Sequence, residues 1–117
     1  MPDDHRPPGI TTVSTDVLVA IARMAALGVP GVNSVAPPIS NVGRFFRRRA
    51  ADGVRITIED NLILGDIHLV VQGGLNIREV GRDVQIQVAR ALREMVGMDI
   101  GRIDIHVENI DFERAGA

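Results

Sequence analysis

The feature that most constrains the fold is a capped amphipathic helix that leads directly into an alternating strand, within residues 75–112. Asn76 is the predicted N-cap, and Glu79 stands three residues later to return the hydrogen bond, as in a capping box. Leu75 and Val80 are spaced to form a hydrophobic staple around this cap. Apolar residues then recur at steps of three and four and share one helix face: Ile77, Val80, Val84, Val88, Ala91, Leu92 and Met95.

The segment after this helix has the period of a half-buried strand. Gly97 is the predicted end of the helix. Beyond it, apolar residues alternate with polar ones over residues 102–108. The apolar set is Ile103, Ile105 and Val107, and the polar set is Arg102, Asp104, His106 and Glu108.

The first part of the chain predicts a second helix between two short strands. Residues 10–13 are a candidate edge strand, and Ser14 or Thr15 is the predicted cap of the helix that follows. Gly28 and Pro30 end that helix. Its broad apolar face consists of Val17, Leu18, Ile21, Ala22, Met24 and Ala25. Residues 32–35 are a further candidate strand.

A hairpin is predicted in the middle of the chain. Residues 54–59 alternate between apolar and polar side chains, Asp60 and Asn61 form the turn, and residues 62–71 form the returning strand. Its core-facing residues are predicted to be Ile63, Ile67, Leu69 and Val71, with Gly65 between them.

The predicted order is therefore β-α-β, a hairpin, then α-β. Each helix must bury one apolar face, so the simplest fold is an α+β two-layer sandwich with both helices on one face of a mixed or antiparallel sheet. The last strand runs parallel to residues 62–71, and lies either beside that strand or on the far side of residues 54–59. We expect a single domain over residues 10–112, with flexible tails at 1–9 and 113–117 and a mobile arginine-rich loop at 37–52.

Composition restricts the classes of function. Apolar residues make up 45% of the 117, which excludes a chain disordered throughout, and the net charge of −2 gives no general argument for nucleic-acid binding. The chain has no cysteine and hence neither disulfide nor thiolate metal site. No apolar run approaches the roughly 20 residues that span a bilayer, and we find no signal-peptide core, so we expect a soluble protein that attaches to a membrane only through its surface or a partner.

The tripeptide Asp-Ile-His occurs twice, and it is the one constellation that suggests chemistry. If the two isoleucines face the core, the polar residues Asp66, His68, Asp104 and His106 point to the opposite sheet face. On adjacent strands they would come together as a candidate divalent-metal or acid–base site. The alternative, which we favour, is a polar surface facing solvent or another copy, since short motifs match often by chance.

A basic island lies within the predicted loop. It holds four arginines and two phenylalanines and no acidic residue: Arg44, Phe45, Phe46, Arg47, Arg48 and Arg49. Such a segment suits an anionic lipid surface or an acidic partner, and less well the phosphates of nucleic acid, while the alternative is a solvated loop. The exposed side of the second helix carries further arginines that are candidate contacts: Arg78, Arg82, Arg90 and Arg93.

Residues 53–112 resemble the alkaline-shock, envelope-stress-response family of Gram-positive-type bacteria. The family pattern of a GV strand start is matched by Gly53-Val54, its acidic turn by Glu59-Asp60, and its glycine before N-I-P-E-V by residues 74–80. Residues 103–110 are close to its V-x-V-H-V-x-x-I ending, and its early I-S-x-x-V-x-x-I-A pattern has counterparts in residues 14–17 and in Ile21-Ala22. Arg78 departs from the family, which often has proline there.

The resemblance implies an abundant cytoplasmic protein that gathers at the cell envelope, in some members through a small membrane-anchored partner. It also implies self-association, no catalytic residue and no cofactor. The leading hypothesis is therefore a non-enzymatic scaffold that forms homo-oligomers and docks to a membrane-linked partner, placing it at the periphery of the membrane. A small nucleic-acid-binding adaptor ranks second, and a metal-dependent enzyme built on the two Asp-Ile-His strands ranks last.

Overall fold

The computed structural model describes residues 8–36 and 53–112. In chain order the elements are α1 (Thr15–Leu27), β1 (Val32–Val35), β2 (Val54–Glu59), β3 (Leu62–Gln72), α2 (Ile77–Val96) and β4 (Asp99–Asp111). The predicted tail at 113–117, the predicted loop at 37–52 and residues 1–7 of the predicted tail at 1–9 lie outside the described residues. No helix within the described ranges is long and apolar enough to cross a membrane.

Local signals place the helix ends where the sequence predicts them. Ser14 caps α1 by accepting a hydrogen bond from the Val17 N–H, and Asn76 caps α2 by accepting one from the Glu79 N–H at 3.1 Å. Gly97 ends α2 in the left-handed conformation, with φ of 81°. These caps fix the entry and exit of both helices.

The sheet is mixed and is built around β3. One edge of β3 pairs along its length with β4 in parallel, and its other edge pairs antiparallel with β2 and then with β1. Of the two strand orders left open by the sequence, β4 therefore takes the one beside β3. The β2–β3 turn has positive φ at both Asp60 and Asn61, the conformation that suits a tight two-residue hairpin.

Both helices pack on one face of this sheet, as predicted, and the core lies between the two layers. The core residues of β3 and α2 are those that the two periodicities select: Ile63, Ile67, Leu69, Val71, Val80, Val84, Val88 and Leu92. Gly65 lies between the side chains of Ile56 and Ile103, so β3 has no side chain at the point where its neighbours meet. The opposite face of the sheet has no covering layer among the described residues.

Two predictions about individual segments are wrong, and one predicted strand is longer than its alternating pattern. Residues 10–13 form no strand, since they pair with none of the described strands, and Ile10 is 90% exposed. β4 begins at Asp99, before the predicted residue 102, and its ladder shifts register at Gly101. Val17, Met24 and Met95 are exposed rather than buried, because the apolar face of each helix is wider than its contact with the sheet.

Candidate functional site

The uncovered face of the sheet brings the two Asp-Ile-His segments together. The parallel register of β3 and β4 aligns Asp66 with Asp104 and His68 with His106, while Ile67 and Ile105 face the helices. The fold thus brings the two segments together as the sequence suggested for neighbouring strands. The pairing of β3 with β4 has no register shift across these residues.

Each imidazole on this face is held by a carboxylate. His106 Nε2 lies 2.9 Å from Asp66 Oδ1, and His68 Nδ1 lies 2.6 Å from Glu108 Oε2. The two rings stack with centroids 4.6 Å apart and an angle of 18° between their planes. Asp104 instead pairs with Arg102 at 2.8 Å. The result is two carboxylate–imidazole pairs, side by side and about one-fifth to two-fifths exposed.

This arrangement does not converge on a metal position. Nitrogen lone pairs lie in the plane of an imidazole, so two nearly parallel stacked rings direct theirs along separate planes rather than to one point. Within residues 8–36 and 53–112, no group of three or more histidine, aspartate or glutamate side chains is placed to hold a metal ion. In this geometry the side chains form a hydrogen-bonded polar surface.

The outer surface of α2 has a groove on each side. On one side, α1 and α2 border an open groove of about 660 Å³, here called the methionine groove. Met24 and Met95 flank it, each with 65% of its surface exposed. Charges of both signs line the same groove: Asp83, Arg90 and Glu94. Methionine is flexible and polarisable, and such side chains are common on protein-binding surfaces.

On its other side, α2 borders a smaller groove of about 340 Å³ against β4, here called the α2–β4 groove. It is lined by Ile77, Arg78, Gly81, Arg82, Gln85, Ile105 and Val107. Arg78 and Arg82 are the charged residues of this lining, so the groove has an apolar floor and a basic rim. Two of the arginines predicted as contact residues thus lie together at one surface feature.

The predicted contact residues divide between these surfaces. Arg78 and Arg82 lie in the α2–β4 groove, and Arg90 lies in the methionine groove. The basic island of Arg44, Phe45, Phe46, Arg47, Arg48 and Arg49 lies outside the described residues. The sequence did not identify Met24 and Met95 as surface residues. Both are apolar and have the spacing of core residues, and spacing does not show which positions of a helix lie beyond its contact with the sheet.

The model of the alkaline shock protein 23 family, described as having a cell envelope-related function, matches residues 3–112. The uncharacterized protein YqhY of Bacillus subtilis (strain 168) is 30% identical over 107 residues, which covers 90% of this chain and 79% of YqhY. The uncharacterized protein YloU of the same organism is 23% identical over 108 residues, covering 87% of this chain and 88% of YloU.

Solved structures with a similar fold are forms of the MamM CTD. A copper form superposes with a TM-score of 0.59 at 17% identity, covering 86% of this chain and 90% of that structure. A zinc form of a variant gives a TM-score of 0.53, also at 17% identity, covering 86% and 87%. At this level of identity the likeness concerns the fold alone.

Proposed function

The chain belongs to the alkaline shock protein 23 family, and on that premise we propose that it is a non-enzymatic scaffold of the cell envelope. In this proposal the protein lies in the cytoplasm at the periphery of the membrane, forms homo-oligomers and docks to a membrane-linked partner. The cell envelope-related description of the family supports the location. The surface of the two helices supports the role as an interaction module.

The observation that carries self-association is the methionine groove. Its lining includes the exposed apolar side chains of Met24 and Met95 together with both acidic and basic side chains. A two-fold interface uses the same patch on both copies, so the patch must be complementary to itself. A mixed lining meets this condition, because Arg90 of one copy can face Asp83 or Glu94 of the other across the two-fold axis.

Sedimentation velocity of the purified chain over a wide concentration range tests this interface. We expect a concentration-dependent oligomer that the double variant Met24→Glu/Met95→Glu returns to monomer, because four carboxylates would then face one another across the axis. Ile86→Glu is the matched control, since Ile86 is an exposed apolar residue of the same helix outside the groove lining. A monomer at every concentration, or equal dissociation of the control, would contradict the proposed interface.

Affinity purification from cells with the membranes retained tests the docking. We expect a membrane-anchored protein to be recovered with the tagged chain, and we expect this recovery to persist in high salt if the contact is with protein rather than with lipid headgroups. Recovery of ribosomal or nucleoid material instead would support the nucleic-acid adaptor and contradict the proposal.

A further inference from the structure

We infer that the α2–β4 groove binds an extended acidic segment of another protein, which adds to the sheet as a strand beside β4. The inference deepens the proposed function by naming the site and the chemistry of the docking partner. It rests on four features of the groove: an unpaired strand edge, a glycine that the fold does not require, a basic rim, and a geometry that disfavours a second copy of this chain.

The unpaired edge belongs to β4. Among residues 8–36 and 53–112, β4 pairs with β3 alone, so its other edge carries no strand. Gln85 Nε2 of α2 donates a hydrogen bond to the main-chain carbonyl of Ile103 at 3.0 Å, which satisfies one group at the start of the groove. Further along, Ile105 and Val107 line the floor, and Val107 is 38% exposed. An unpaired edge beside an apolar groove is the arrangement on which strand addition depends.

Gly81 keeps the groove open at a cost to the helix. It lies in the interior of α2, where glycine is about 1 kcal/mol less favourable than alanine. Packing does not require it, because a Cβ at this position would meet only Ile105, at 3.7 and 4.0 Å, which is ordinary contact. Its φ is not positive, so the backbone does not require glycine either. Glycine at this position lowers helix stability, and neither packing nor backbone geometry explains it. Such a residue indicates a functional constraint.

The basic rim selects an acidic partner. Arg78 and Arg82 are exposed, and neither has an ion-pair partner within the described part of the chain. Arg78 also stands in the first turn of α2, where the helix dipole disfavours a positive charge. Two unpaired guanidinium groups one helical turn apart suit carboxylates spaced along an extended segment.

A second copy of this chain is a poorer occupant of the same edge. Pairing of β4 with its copy about a two-fold axis would place the two α2 helices side by side, each with its basic rim turned to the other. Four guanidinium groups would then share one interface, and like charges in juxtaposition oppose association. The methionine groove, with both signs of charge, carries no such penalty.

The test is an NMR titration of the ¹⁵N-labelled chain with an acetylated heptapeptide of alternating glutamate and valine. We expect saturable shifts of main-chain amides in residues 103–107 and of the Gln85 side-chain amide. The double variant Arg78→Glu/Arg82→Glu should weaken binding about tenfold. Arg93→Glu is the matched control, because it reverses the same charge at an exposed position of the same helix that lines neither groove.

Three further probes test strand addition, the groove itself and the charge of the partner separately. The same peptide with every main-chain amide N-methylated keeps its charges but loses the N–H donors of both strand edges, so we expect its binding to disappear. Gly81→Leu should abolish binding by filling the groove, while circular dichroism confirms that α2 remains folded. An alternating lysine–valine peptide should produce no shifts.

Several results would overturn the inference. These are the absence of shifts in residues 103–107, equal loss of binding in Arg93→Glu, and undiminished binding of the methylated peptide. Concentration-dependent protection of these amides from hydrogen exchange without peptide would assign the edge to a second copy instead. The titration uses purified monomer or oligomer alike, so failure of the proposed self-association or envelope location leaves its result unaffected.

Discussion

Replacement of Gly81 by alanine should stabilise the protein, and the structure sets the size of the effect. The change removes the helix penalty of glycine, about 0.8–1.0 kcal/mol. The added methyl group would contact the Ile105 side chain at 3.7 and 4.0 Å without a clash, and each such atom pair adds about 0.1–0.2 kcal/mol of dispersion energy. We therefore expect the free energy of unfolding to rise by about 1 kcal/mol, or Tm by about 4–8 °C.

Urea denaturation followed by circular dichroism measures this change, and Gly97→Ala provides the control. A Cβ at Gly97 would meet open space and no clash, but φ of 81° places this residue in the left-handed region, where alanine costs about 1–2 kcal/mol. The same substitution should thus have opposite signs at the two positions. A loss of stability in Gly81→Ala would refute the argument, because it would mean that packing or backbone geometry requires glycine there. A gain in stability together with weaker peptide binding would agree with a groove kept open for a ligand.

Three other predictions concern the cap, the core and the histidine surface. Asn76→Ala should lower the free energy of unfolding by about 1 kcal/mol in urea denaturation, because it leaves the Glu79 N–H without its acceptor. Val88→Asp should unfold the domain, because Val88 is fully buried between α2 and the sheet and a carboxylate there would have no partner. The measurement is loss of the cooperative thermal transition. Ile86→Asp, at an exposed position of the same helix, should keep that transition. Calorimetric titration with zinc should give no heat beyond dilution, since the stacked rings of His68 and His106 do not converge on one point; a saturable heat that is lost in His106→Ala would show that the surface rearranges around a metal.

The sequence determines most of the fold because its signals are local and agree with one another. The caps at Ser14 and Asn76, the left-handed Gly97 and the hairpin turn at Asp60-Asn61 all act within a few residues, so each can be identified without knowledge of the remainder. The period of the apolar residues then assigns one face of β3 and α2 to the core, and the structure buries those residues. Each of the two helices has one apolar face, and so does the sheet. A two-layer arrangement is the simplest one that buries all of these faces.

What the tertiary structure decided is the relation between segments distant in the chain. The alignment of His68 with His106 depends on β4 lying beside β3. The sequence allowed this strand order and one other, and only the packing of the folded chain selects between them. The exposure of Met24 and Met95 depends on how much of each helix the sheet covers, and residue spacing cannot give that width. The α2–β4 groove likewise requires a helix and a strand edge to meet, so Arg78 and Arg82 could be named as contact residues from the sequence while the surface they serve could not. Interactions between residues near in sequence determine the helices, strands and turns. The surfaces between these elements depend on contacts between distant residues, which form only when the chain folds.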